Sequence, residues 1–103
     1  MKIKWTKEAL TNIQSIEEYI FHDNPSAAIG LTDKIISLVE ELIDSPQKGR
    51  VVPELSIEQI REILYKNYRI VYLFKKNSIE VLTVFEGHKL LDNENILDRS
   101  KKS

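Results

Sequence analysis

The chain contains no cysteine, which removes a disulfide framework, a thiolate metal site and a cysteine nucleophile together. It also lacks a charge excess. Fifteen Lys and Arg against 16 Asp and Glu leave a formal net charge of -1, too little for a global field that would draw the protein to nucleic acid or an anionic membrane. Any contact with a polyanion has to be local. No apolar run approaches the length of a membrane span, and Met1-Lys2-Ile3-Lys4-Trp5 leads into a charged helical pattern without an apolar signal region. A cytoplasmic protein with no membrane contact is therefore expected. What is present suits one small globular domain: 42% apolar and 30% charged residues in a chain of 103 residues, enough for one core and too short for two. Residues 1–103 read as a single domain ending in a polar tail from about 92 to 103.

Periodicity divides the chain into elements. Ile3 and Trp5 alternate with Lys2 and Lys4, a short strand that stops at Thr6, which can cap a helix with Glu8 in its first turn. Leu10, Ile13, Ile16, Glu17 and Ile20 then follow at helical spacing, with Ala9 adjoining, until His22-Asp23. Asn24-Pro25 restarts a helix, with Asn as cap and Pro at the first helical position. Ala28, Leu31, Ile35, Leu38 and Leu42 form its apolar seam, and Asp44-Ser45-Pro46 ends it. The short linker makes the two helices an antiparallel hairpin. A loop spans 47–58, and three strand-like runs follow, 59–65, 68–75 and 78–85, joined at Lys66-Asn67 and Lys76-Asn77 by two-residue turns in which Asn tolerates a positive φ. The expected fold is α/β of the α+β kind: an N-terminal strand, the helical hairpin, and a mainly antiparallel sheet ending in a three-stranded meander.

Counting by twos across both turns assigns faces to the strands. Tyr68, Ile70, Tyr72, Phe74, Ile79, Val81, Thr83 and Phe85 fall on one face, towards the helices. Arg69, Val71, Leu73, Leu82, Val84, Leu64 and Glu62 fall on the other. The second face is then an exposed apolar strip, Val71, Leu73, Leu82 and Val84, of the kind that marks a partner site. The Arg69 guanidinium is expected to be free on that face, or paired with Glu62 at the surface for under about 1 kcal/mol.

These residues resemble the RelE/ParE toxins of type II toxin–antitoxin systems. The resemblance is carried by their order and spacing: the strand with Trp5, the helices broken at Asp23-Asn24-Pro25, Gly49-Arg50-x-x-Pro53-Glu54-Leu55, Ile60-Arg61-Glu62, Tyr68-Arg69-Ile70-Val71-Tyr72, and a last strand running into Glu86-Gly87-His88-Lys89. It implies a small toxin domain wrapped by a cognate antitoxin, which the strip Val71, Leu73, Leu82 and Val84 would receive. It leaves two modes of action open. In a ribosome-dependent messenger RNA endonuclease, Glu54, Arg69 and His88 match the glutamate, arginine and histidine used by some members as general base, phosphate-stabilising cation and general acid. In a ParE-like inhibitor the action is binding, with DNA gyrase as target and Arg50, Arg61, Arg69 and Lys89 as contacts. A member that binds an antitoxin without harming the cell is a third reading. Neither mode implies a metal or a cofactor.

Each residue also has a structural reading. Glu54 can be a loop carboxylate bonded to a backbone N–H or to Arg50, His88 a solvated loop residue, and Arg50 and Arg61 contacts to solvent or antitoxin. Three departures favour the ParE-like branch. Ribosome-acting members are strongly basic, as a ligand made of phosphates demands, whereas this chain is slightly acidic. The chain also continues past His88 through Lys89-Leu90-Leu91, and Ile60-Arg61-Glu62-Ile63 stands where some nucleases carry a lysine-rich strand.

Overall fold

The computed structural model describes residues 1–87; His88, Lys89 and the expected tail 92–103 lie outside the described residues. The elements are β1 (Lys2–Trp5), α1 (Lys7–Phe21), α2 (Pro25–Glu40) continued by a 3-10 turn (Glu41–Ile43), β2 (Arg50–Val51), β3 (Ile60–Tyr65), β4 (Tyr68–Phe74) and β5 (Ser78–Glu86). They build a five-stranded sheet in the order β1-β5-β4-β3-β2. β1 runs parallel to β5, and every other pairing is antiparallel. This is the α+β architecture expected, with two additions that periodicity did not locate: the edge position of β1 and the two-residue strand β2 inside the loop. No helix among the described residues is long and apolar enough to cross a membrane.

Both helices start where their caps place them. Thr6 accepts from the Ala9 N–H and Asn24 from the Ala27 N–H, with Pro25 in the first turn of α2. Ala9 and Ile13 are buried on α1, Ala28, Leu31, Ile35 and Val39 on α2, and these pack with Ile70, Val81 and Val84 of the sheet. Val39 takes the core position that spacing gave to Leu38, and Leu10 is half exposed.

The β3–β4 hairpin has the expected register, Tyr65 opposite Tyr68 and Ile60 opposite Leu73. Its turn differs in one detail: Lys66, not Asn67, has the positive φ, at 52°. The β4–β5 pairing also starts as expected, with Phe74 opposite Ile79 and Tyr72 opposite Val81. It then shifts by one residue, so that Val71 faces Thr83, Ile70 faces Val84 and Arg69 faces Phe85. Leu82 is the extra residue of a β-bulge. Thr6 is docked there: its backbone N–H donates to the Val81 carbonyl, and its hydroxyl lies 2.9 Å from that carbonyl and 3.0 Å from that of Leu82.

The bulge corrects the face assignment. Val84 turns towards the helices and joins their core, while Phe85 turns to the side of Arg69. The strip expected to be exposed is also covered. Val52, Leu55, Ile57 and Ile60, from the loop and the start of β3, pack over Val71, Leu82, Leu73 and Phe85. Val71 and Leu82 are fully buried, and only Leu73 keeps partial exposure. The chain's own loop does what a partner was expected to do, because it carries apolar side chains that need cover as much as the strands do.

The connection into β2 is held from inside by Tyr72, fully buried. Its hydroxyl donates to the Pro46 carbonyl at 2.6 Å and accepts from the Gly49 N–H at 3.0 Å. Tyr72→Phe leaves that N–H without its partner and is expected to cost about 1–3 kcal/mol by urea denaturation. Burial pushes the Tyr72 phenol up, against the Gly49 hydrogen bond. A raised folded value means stability that is complete below the ordinary phenol range near 10 and lost as pH rises through the folded value. Stability should fall above about pH 10, less steeply in Tyr72→Phe. Tyr68, raised by burial and then by Glu86 and Tyr19, supplies the slope that remains.

Candidate functional site

On the sheet face away from the helices, two arginines and two carboxylates meet. Arg50 on β2 lies opposite Glu62 on β3, and Arg69 on β4 lies opposite Leu64 and Phe85. Glu54 arrives from the loop. Val52 anchors that loop through its N–H to the Ile60 carbonyl, and its own carbonyl accepts from the Leu55 and Ser56 N–H groups. Pro53 follows with its preset φ and Ser56 takes the left-handed conformation, φ 53°. The tight turn places Glu54 over Arg69.

Every nitrogen of the Arg69 guanidinium is used. Nε donates to Glu62 Oε1 at 2.6 Å, while Nη1 and Nη2 donate to Glu54 Oε2 and Oε1, each at 2.7 Å. The second oxygen of Glu62 accepts from Arg50 Nε at 2.6 Å. The Glu62 side chain has no exposure, that of Arg69 8%, that of Glu54 24% and that of Arg50 55%. Arg69 also lies 5.1 Å from the centroid of the Phe85 ring, within cation–π range. Its guanidinium is held more firmly protonated than an ordinary arginine, chiefly by Glu54 and then Glu62, against the opposing effect of burial. Two positive and two negative groups cancel, so the cluster presents no net charge.

The expected free guanidinium is therefore corrected. Arg69 is buried and paired twice, because Glu62 shares its face and the loop supplies a second carboxylate. Glu54 bonds to Arg69 rather than to Arg50. Arg61 is not part of the cluster. It faces the other side of the sheet, opposite Tyr72, and donates to the Gln47, Gly49 and Glu58 carbonyls and to Glu58 Oε1. It ties two loops together. His88 and Lys89 lie outside the described residues. Glu62 is the residue that sequence reasoning undervalued, as a surface partner of Arg69. Its signal was a carboxylate between Ile60 and Leu64 on one strand face with an arginine on the next strand.

Gly49, just before β2, is held tightly against the β3 backbone and Tyr72. A Cβ there would stand 2.6 Å from the Glu62 carbonyl oxygen and 2.7 Å from the Tyr72 hydroxyl. Since backbone blocks it, Gly49→Ala should cost about 3 kcal/mol, the upper end of ordinary overpacking, read as a drop in denaturation midpoint. No group of three or more His, Asp and Glu side chains able to hold a metal exists among the described residues.

Residues 3–91 match the family described as ParE toxin of type II toxin-antitoxin system, parDE. The chain belongs to the ParE toxin family. A Sinorhizobium fredii (strain NBRC 101917 / NGR234) protein described as "Putative toxin Y4kP" is 32% identical over 90 residues, covering 85% of this chain and 90% of that protein. Among solved structures, one described as the chromosomal ParDE TA system from P. aeruginosa superposes with a TM-score of 0.69 at 19% identity, over 84% of this chain and 95% of that one. At that identity the likeness speaks for the fold. In this ParE-family toxin, Arg50, Glu54 and Arg69, three of the residues named from the resemblance, join Glu62 in one connected ion-pair cluster, whereas Arg61 lies on the other side of the sheet.

Proposed function

We propose that this ParE-family toxin arrests growth by inhibitory binding to a protein target, with DNA gyrase the first candidate, and that a cognate antitoxin neutralises it in the cytoplasm. The observation that carries the reading is the closed Glu54–Arg69 pair. A nuclease of the kind considered above needs Glu54 to take a proton and Arg69 to meet a phosphate, and here each occupies the other. The charge of -1 works in the same direction, since phosphate ligands are bound by neutralising cations. Arg50, half exposed at the edge of the cluster, is the contact assigned to the partner surface, whereas Arg61 and Arg69 are committed within the fold.

The test uses Glu54→Gln with His88→Ala, the glutamine keeping one acceptor for Arg69. Cells expressing this variant should still arrest, with messenger RNA intact, and purified wild type should inhibit gyrase supercoiling. Fragmentation of messenger RNA at translated codons by wild type, lost in the double variant, would establish the endonuclease instead. Absence of arrest by well-expressed wild type would point to an inactive antitoxin-binding member.

A further inference from the structure

Beside the ion-pair cluster lies an open cleft of about 290 Å³ between β2 and the tip of the β3–β4 hairpin. Its lining comprises Arg50, Leu64, Lys66, Asn67, Tyr68, Arg69 and Gly87, with no carboxylate among the described residues. Arg50 spends only Nε on Glu62, leaving its two terminal nitrogens without a partner among the described residues. Lys66, exposed at the hairpin tip, lies over the Tyr65 ring at 5.6 Å and has no acidic partner among the described residues. Leu64 is 51% exposed. Gly87 keeps the floor open, since a Cβ would come within 3.3 Å of Arg69 Cγ and of the Asn67 carbonyl. Among the described residues the cleft thus offers the two terminal nitrogens of Arg50 and the Lys66 ammonium beside the exposed Leu64 side chain.

We propose that this cleft receives a single carboxylate on an apolar segment of the antitoxin, the carboxylate meeting Arg50 and Lys66 and a neighbouring apolar residue covering Leu64. The assignment rests on the reading above that an antitoxin binds this chain. A nucleic acid is disfavoured by the same surface. A run of phosphates needs several cations, whereas Arg69 is already consumed, and a phosphate strand makes no use of Leu64. A fork with free terminal nitrogens suits a planar carboxylate.

The probes are two blocked dipeptides, N-acetyl-Leu-Glu-methylamide and N-acetyl-Leu-Gln-methylamide, titrated into the full 15N-labelled chain, with inorganic phosphate as a third. The glutamate peptide should shift the Lys66, Asn67 and Gly87 amides saturably, and the glutamine peptide should bind about tenfold more weakly, the scale of one lost charge-assisted contact. Lys66→Gln, at an exposed tip away from Glu62, should weaken the glutamate peptide several-fold without changing the melting temperature, and Arg50→Lys, which removes the terminal fork while keeping a cation beside Glu62, should weaken it likewise. Equal binding of the two peptides, shifts confined to other amides, or wild-type affinity in both variants would overturn the proposal. Saturable phosphate binding at these amides, tighter than the glutamate peptide, would overturn it in favour of nucleic acid. Failure here while a cognate antitoxin still relieves growth arrest removes the cleft assignment alone; peptide binding without relief by the antitoxin removes the antitoxin reading and with it the occupant.

Discussion

Arg69→Met is expected to destabilise the folded chain by about 3–5 kcal/mol, the scale for removing one partner from a buried ion pair. The substitution keeps the length of the side chain and removes three donating nitrogens at once. Glu62, with no side-chain exposure, would keep only Arg50, which is itself 55% exposed, and Glu54 would lose both of its bonds to Arg69. In a domain of this size each kcal/mol is worth roughly 4–8 °C of melting temperature, so a drop of more than about 12 °C should be read in a thermal scan. Against a total stability of about 5–15 kcal/mol, that is a large fraction, and it unfolds much of the protein where the total lies at the lower end of that range. Loss of toxicity in Arg69→Met would thus reflect loss of fold, contrary to the expectation of a guanidinium free to meet a ligand. The accompanying control is Glu62→Leu combined with Arg69→Met. A buried pair replaced by apolar residues avoids the stranded charge, so the double variant should be more stable than either single one. An Arg69→Met protein that melts like wild type would show that the ion pairs contribute nothing measurable.

Local signals carried most of the architecture. Thr6, Asn24 and Pro25 fixed the helix starts, and Lys66-Asn67 and Lys76-Asn77 fixed the two turns, because caps and turns are decided by residues within a few positions of each other. The register of β5 was not legible in the same way. Its bulge sits where Thr6, far away in sequence, bonds to the Val81 and Leu82 carbonyls, and period-two counting carries no information about such a partner. One inserted residue then reverses the faces of everything beyond it, which is why Val84 and Phe85 were exchanged. The candidate site was half legible. Arg69 and Glu62 fell on one face by strand alternation, but their burial depends on Glu54 and on Val52, Leu55 and Ile57, delivered by a loop whose path no periodicity describes. The apolar residues of that loop were the available sign that it packs on the sheet.

Leu82→Asp is expected to abolish the fold, and Leu64→Asp to leave it standing, although alternation places both leucines on the same face of the sheet. Leu82 has no exposure and packs among Val52, Ile60 and Val71. Replacing it removes roughly 1.5–3 kcal/mol of apolar burial. It also forces either a charge or an unbonded carboxyl into a site without donors, for a further roughly 1–3 kcal/mol even when the group takes up a proton. The total, about 2.5–6 kcal/mol, reaches the severe class of single substitutions and at its upper end equals the whole stability of a small domain. Leu64, half exposed beside Arg50 and Lys66, surrenders little burial and should change stability by about 0.5 kcal/mol. Soluble yield and urea midpoint separate the two variants. A Leu82→Asp protein with a wild-type midpoint would mean that the 52–60 segment does not cover the sheet and that the strip Val71, Leu73 and Leu82 is open after all. With Leu82→Asp unfolded and Leu64→Asp folded, a partner approaching this face must use the outer surface of the loop, Leu73 and the Arg50–Lys66 cleft. The strands beneath would then act only as their support.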